Sequence, residues 1–193
     1  MSRQATIERK TKETDVKVSL DLDGSGTSSS DTGLAFLDHM LEQIGKHGAF
    51  DFSVSCSGDL QIDGHHTVED TGIAVGQAFA EALGDKAGIR RFASVAVPLD
   101  ESLVEVALDI SGRPFLVWDV EVPAETIGTF DTGLAEDFVQ AFVQNAGLTL
   151  HVRLISGRSP HHVLEAAFKG IANALRDACS IVGGGIPSTK GTL

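Results

Sequence analysis

The chain is predicted to be a mixed α/β protein made by internal duplication, each half a β-sheet packed against helices, the halves spanning about 1–92 and 93–193. Three observations predict this. The hydrophobic period switches between two and about 3.6 along the chain, in the order β-α-β-α, a block of β, then α-β-α. The pattern HHxxE occurs twice, at His65-His66 with Glu69 and at His161-His162 with Glu165. Both copies follow a helix and then a strand, and two copies are too few for a solenoid, so a pseudo-two-fold domain is expected.

The elements follow in order. Val16, Val18, Leu20 and Leu22 alternate through Thr14–Leu22, a strand. Leu34, Leu37, Leu41 and Ile44 recur at helical spacing through Gly33–Lys46, with Asp31 or Thr32 as the expected N-cap. Phe50, Phe52, Val54 and Cys56 alternate again as a strand. His66–Leu83 has a helical pattern that Gly84 stops. Phe92–Val122 is a run of β-structure, with Val104, Val106, Leu108 and Ile110 on one face and a turn at Ser111–Pro114. Thr132–Asn145 is predicted helical, Leu148–Ile155 a strand, and His162–Ser180 a helix. The Ser/Gly-rich stretch Gly24–Ser30 and the tail Gly183–Leu193 are expected to be loops, not linkers between domains.

A length of 193 residues fits one domain with a sizeable core. No apolar run reaches the roughly 18 residues of a membrane span, and MSRQATIERK lacks the apolar region of a signal peptide. Two cysteines, Cys56 and Cys179, make no disulfide framework and no metal motif, so reduced thiols in a cytoplasmic protein are expected. Fifteen Lys and Arg against 27 Asp and Glu leave a net charge of −12, which argues against a nucleic-acid partner. An anionic ligand would need a few cations gathered at one place.

The HHxxE pattern carries the chemistry. Adjacent residues on a helix point about 100° apart, so His65 and His66 face different ways, whereas positions i and i+4 share a face. This sorts His65, Glu69, His161 and Glu165 toward one ion, and His66 and His162 toward a second. His39 and Asp137, at equivalent places in the two repeats, are candidates to complete the second set. Imidazole and carboxylate ligands without thiolate favour Mn²⁺, or Fe²⁺, Ni²⁺ or Zn²⁺. Ca²⁺ and Mg²⁺ prefer oxygen shells. Of the seven histidines, His151 falls inside an apolar strand and is expected to be structural.

Cations are scarce, so their placement is informative. Arg90-Arg91 follows the Gly-terminated helix, Arg113 occupies the SGRP turn, Lys169 lies one turn beyond Glu165, and Lys190 sits in the PSTKG tail beside Ser188. Such side chains with turn amides suit a phosphate group.

Taken together, RKTKET (Arg9–Thr14), FLDHMLEQIGKHGAFD (Phe36–Asp51), DGHHTVED (Asp63–Asp70), ALGDKAGIRRF (Ala82–Phe92), PLDESL (Pro98–Leu103), SGRPF, TLHV (Thr149–Val152), SPHHVLEAAFK (Ser159–Lys169) and PSTKG (Pro187–Gly191) resemble the imidazoleglycerol-phosphate dehydratase family from about Arg9 to the end. The resemblance implies a duplicated domain of the ribosomal-protein-S5-domain-2-like type, assembled as a 24-subunit homo-oligomer with metal at subunit contacts. It implies dehydration of D-erythro-imidazole-glycerol phosphate to imidazole-acetol phosphate in histidine biosynthesis, with two Mn²⁺ ions per subunit. Family metal ligands correspond to His39, His65, His66, Glu69, His161, His162 and Glu165. Asp137 stands where many members have histidine, and a carboxylate there can still ligate. Glu13 matches the family's acidic residue and is the candidate for proton transfer. Gln43 and His47 are placed near substrate by similarity, and Arg91, Arg113, Lys169, Ser188 and Lys190 resemble the grip on phosphate and diol.

Two other functions fit the HHxxE pairs taken alone. A two-metal phosphoester hydrolase would release phosphate without forming an enolisable ketone. A non-enzymatic metal-binding module would bind metal yet show no turnover for Glu13→Gln to change.

Overall fold

The computed structural model describes residues 2–193. The first half contributes β1 (Gln4–Lys10), β2 (Thr14–Asp21), β3 (Ser28–Asp31), α1 (Ala35–Gly48), β4 (Asp51–Gly58) and α2 (His65–Leu83). The second contributes β5 (Phe92–Leu99), β6 (Ser102–Asp109), β7 (Phe115–Asp119), the short strands β8 (Thr126–Ile127) and β9 (Phe130–Asp131), α3 (Leu134–Ala146), β10 (Thr149–Ser156) and α4 (Pro160–Cys179). Apart from the β8/β9 hairpin, the halves share one topology. The sheets run β1-β2-β4-β3 and β5-β6-β10-β7, the first two pairings in each antiparallel and the last parallel.

Alternation decides which face of each sheet is covered. Val16, Val18 and Leu20 on β2, and Val104, Val106 and Leu108 on β6, are buried, while Lys17, Ser19 and Glu105 between them face outward. Helix α2 lies on β1 and β2, and α4 lies on β5 and β6. The remaining helices pack across the repeats, α1 against α4 and α3 against α2. Phe79, Phe138, Phe142 and Phe168 fill the space between them, with ring centroids 5.3–6.5 Å apart along the chain of contacts. Each such buried ring contributes on the order of 1.5–3 kcal/mol. Glycine sets the α2–α3 distance. A Cβ on Gly72 would lie 2.7 Å from the Phe138 carbonyl oxygen, and one on Gly76 would lie 2.6 Å from that of Phe142.

Four local features differ from the pattern-based expectation. Strand β1 carries no clean apolar alternation because its inward positions include Arg9, whose Nη1 lies 2.8 Å from the buried carboxylate of Asp70. Strand β3 arises inside the Ser/Gly-rich stretch. It pairs in parallel with β4, and its small Ser28 is what fits against Gly45 of α1. Helix α1 has Leu34, not Asp31 or Thr32, at its N-cap, while Asp38 reaches back to accept from the Thr32 amide (2.8 Å) and hydroxyl (2.7 Å). His151 is exposed on the outer face of β10 and forms no part of the core. Cys56 and Cys179 are free and buried, and burial pushes the Cys179 thiol up to about 12.

Candidate active site and metal-binding cluster

The α1–α4 contact builds the tighter of two related clusters. Pro160 begins α4, and the Ser159 hydroxyl accepts from the His162 amide at 3.4 Å, which fixes the first turn. His161 on that turn and Glu165 one turn later point toward His39 in the middle of α1. His39 Nε2 lies 3.2 Å and His161 Nε2 2.9 Å from the same oxygen, Glu165 Oε2. One donor atom from each of the three lies within 4.8 Å of the others. Lys169 Nζ holds the other oxygen of Glu165 at 2.6 Å. Burial alone would push the Glu165 carboxyl up, but Lys169, His39 and His161 outweigh it and hold it at about 2.

The cluster has an apolar wall. Phe36 meets His161 edge-on at 5.4 Å and Phe130 at 5.2 Å, and a cavity of about 500 Å³ opens onto His39 and His161. Gln43, one turn beyond His39, donates to its carbonyl at 3.2 Å. His47 lies a further turn along, its pKa lowered first by burial and then by Lys169, so its ring is neutral at pH 7.

The second cluster is its repeat counterpart, built by α2 against α3. His65 Nδ1 stands 3.4 Å from Asp137 Oδ2, and His65 Nε2 stands 3.8 Å from Glu69 Oε2. All three are about half exposed. Within one chain, therefore, the donors gather differently from the helical-face sorting. His39 joins His161 and Glu165, and Asp137 joins His65 and Glu69. The face rule gave which residues of one helix act together; it carried no information on which helix lies opposite.

His66 and His162 turn away from these clusters, as their 100° offset requires. His66 Nδ1 lies 3.0 Å from Asp59 Oδ2, and His162 Nδ1 lies 2.8 Å from Glu101 Oε2. The hydrogen bond to Asp59 raises the His66 pKa, and the bond to Glu101 raises that of His162. Glu101 is held at about 2, first by His162 and then by the Ser159 amide 2.8 Å away. Sequence reasoning missed both carboxylates, although Glu101 lies in PLDESL and Asp59 shortly precedes DGHH. Glu13 sits exposed in the β1–β2 turn, close enough to His66 that its charge also raises that imidazole. Thr14, next to it, donates to the buried Asp70 of α2.

A separate cleft of about 820 Å³ is lined by Arg91, Ser111, Arg113, Ser188 and Lys190. Arg91 makes a bidentate pair with Asp109 (2.7 and 3.1 Å) and donates to the Pro187 carbonyl at 2.8 Å. It thus ties the C-terminal tail to the second sheet, and Arg113 and Lys190 remain the cations directed at the cleft. Lys169 is not part of it, being engaged with Glu165.

Imidazole and carboxylate atoms converging on one point, with no thiolate nearby, suit a borderline divalent metal, to which the ionised Glu165 would be the anionic ligand. Residues 32–175 match the family model described as imidazoleglycerol-phosphate dehydratase. The imidazoleglycerol-phosphate dehydratase of Frankia casuarinae is 58% identical over 100% of both chains, and that of Dinoroseobacter shibae is 56% identical over 99% of this chain and 100% of its own. The crystal structure of the Staphylococcus aureus enzyme superimposes with a TM-score of 0.84 at 37% identity, covering 92% of this chain and 99% of that one. The Pyrococcus furiosus structure gives 0.84 at 35% identity, covering 97% and 100%. The chain belongs to the imidazoleglycerol-phosphate dehydratase family, hydro-lyases of histidine biosynthesis.

Proposed function

We propose that this chain dehydrates D-erythro-imidazole-glycerol phosphate to imidazole-acetol phosphate in a metal-dependent reaction, with two Mn²⁺ ions per chain. The observation that carries the reading is the convergence of His39, His161 and Glu165, repeated in looser form by Asp137, His65 and Glu69. His66 and His162, each with Nε2 free of a carboxylate hydrogen bond, complete the proposed ligand set. When bound, the metal ions supply Lewis acidity toward the imidazole ring of the substrate.

The chain's own residues do the rest. Loss of water breaks the C–O bond next to the ring and removes a proton from the neighbouring carbon. The enol so formed becomes the ketone. Glu13, exposed at the turn beside His66, is the group proposed to move that proton. Arg113, Ser188 and Lys190 are proposed to hold the phosphate in the tail-lined cleft, whose tail Arg91 anchors. Because that cleft is separate from the histidine clusters of its own chain, the proposed oligomer brings one copy's cleft to another copy's cluster. Gln43, His47 and Lys169 line the α1–α4 face and orient the substrate beside His39.

The same reading includes a homo-oligomer, a 24-mer, in the cytoplasm. In its support, Phe92 and Phe115 on the second sheet are more than half exposed, an apolar face suited to burial between copies. No helix is long and apolar enough to cross a membrane. The deciding experiment assays imidazole-acetol phosphate after chelation and add-back of single metals. Activity is expected to vanish and return with Mn²⁺; activity that survives thorough chelation overturns the metal-dependent reading.

A further inference from the structure

The two HHxxE motifs orient their second histidine with carboxylates from non-equivalent places. Superposing the buried stripes of β2 and β6, Val16-Val18-Leu20 on Val104-Val106-Leu108, makes Thr14 equivalent to Ser102, both fully buried, and Glu13 equivalent to Glu101. Superposing β4 on β10, Phe52-Val54-Cys56 on Leu150-Val152-Leu154, and allowing for the bulge after Leu154, makes Gly58 equivalent to Gly157 and Asp59 equivalent to Arg158. In the second half the hairpin residue Glu101 takes the His162 Nδ1–H, and the post-strand position is Arg158, which offers no carboxylate and gives its backbone N–H to Glu101 instead. The glycine before it is required in both repeats, because a Cβ on Gly157 would lie 2.6 Å from Val163 Cγ2 and one on Gly58 would overlap Thr67 Oγ1. In the first half the post-strand residue Asp59 takes His66 Nδ1–H instead. Among the described residues, the hairpin carboxylate of Glu13 then accepts no hydrogen bond.

We propose that Asp59 and Glu101 are positioning residues of the two HHxxE motifs, and that Asp59, by taking over the role that Glu101 keeps in the other repeat, leaves Glu13 free to act on substrate. A carboxylate on Nδ1 fixes the tautomer and ring orientation, so that Nε2 carries no proton and is available to a metal ion, with Asp100 Oδ2 4.0 Å from that of His162. The last clause rests on the proposed role of Glu13; the positioning itself does not.

The experiment titrates metal-free protein with Mn²⁺ against a competing chelator, following melting temperature in parallel to confirm folding. Glu101→Ala is expected to weaken Mn²⁺ binding about 10–100-fold, with Glu101→Asp falling between it and the parent. Because Glu101 also accepts the Ser159 amide, the Ala variant can fail to fold, and the first repeat then carries the test. Asp59→Ala is made in a Glu13→Gln background, where the neighbouring carboxylate cannot replace it. It is expected to weaken binding by the same order relative to Glu13→Gln alone. Wild-type affinity in the folded alanine variants overturns the proposal. Glu13→Gln by itself is expected to bind Mn²⁺ normally and lose turnover. Should it keep turnover, the proton-transfer role of Glu13 falls while the positioning roles stand on the titrations.

Discussion

His39 and Glu165 lie 3.2 Å apart although 126 residues separate them, and neither repeat contains both. The relationship follows from helices that cross between halves: α1 of the first rests on α4 of the second, and α3 on α2. Each HHxxE motif thus borrows a further donor from the opposite repeat. Glu165→Gln removes the proposed anionic ligand and leaves the part-buried Lys169 ammonium without its charged partner. It is expected to lower bound Mn²⁺ by at least one equivalent per chain and turnover by about 100-fold or more. Metal analysis of the purified variant checks this, and full occupancy would remove Glu165 from the ligand set.

Replacing Asp137 separates a ligand from a bystander. Its carboxylate faces His65 at 3.4 Å, where the other repeat presents His39 to His161. Asp137→His restores the residue type of the opposite repeat and is expected to keep metal and activity. Asp137→Ala is expected to lose metal from the α2–α3 cluster alone. Two metal equivalents retained by the alanine variant would show that Asp137 does not ligate.

Acidity should act oppositely on the metal-free and the loaded protein. His162 is raised above its ordinary 6.5 by Glu101, so this imidazole stabilises the metal-free fold fully below 6.5 and ceases to do so as pH rises through the raised value. Glu101 is lowered from 4.5 to about 2, so its contribution is complete above 4.5 and disappears as pH falls toward 2. From these groups the metal-free protein is expected to melt highest between pH 4.5 and 6.5. Metal binding needs neutral rings, so the loaded protein is expected to gain stability from pH 6 to 8 and to release metal near pH 5. Paired melting curves, with chelator and with Mn²⁺, test the reversal. Parallel pH profiles for the two forms would contradict it.

Much of this was legible in the sequence, for reasons that also set its limit. HHxxE at i, i+1 and i+4 fixes which side chains share a helix face, so His161 with Glu165 and His65 with Glu69 follow from geometry within one helix. Pairing His39 with His161 depends on how two helices from different repeats pack, which periodicity does not encode. Strand β3 was hidden because serines at an edge carry no hydrophobic alternation. The partners of His66 and His162 were hidden for a different reason: Asp59 and Glu101 lie outside the strands and helices, where charge is ordinary and only the folded contact distinguishes them. The tail's role at the Arg91 cleft was readable only as Ser-Lys composition until the Pro187 carbonyl was seen to accept from Arg91.

The glycines of α2 offer a way to disturb one cluster and spare the other. Gly76→Ala puts a methyl carbon 2.6 Å from the Phe142 carbonyl oxygen and 2.7 Å from Asn145 Cβ, so α3 has to move away from α2. Overpacking of this kind costs about 1–3 kcal/mol. The shift is expected to part Asp137 from His65 while leaving His39, His161 and Glu165 in place. A variant that melts lower yet retains one metal equivalent meets the expectation; equal loss from both clusters does not.

The tail-lined cleft sits apart from the histidine clusters, and its residues are expected to affect binding more than chemistry. Arg113 and Lys190 face an 820 Å³ space rimmed by Ser111 and Ser188, and neither has a carboxylate partner among the described residues. Arg91 differs, since Asp109 already takes two of its N–H groups and Pro187 a third. Loss of one charge-assisted hydrogen bond is worth about 1.5–3 kcal/mol, roughly ten- to hundredfold in KM. Arg113→Ala and Lys190→Ala should each raise KM by that order, with kcat changed less and Mn²⁺ content intact. Inorganic phosphate should inhibit the parent enzyme better than either variant. Arg91→Ala is expected to raise KM too, but through release of the tail, so its melting temperature should fall where those of the other two hold. If all three variants lose kcat and keep KM, the cleft does not hold the phosphate.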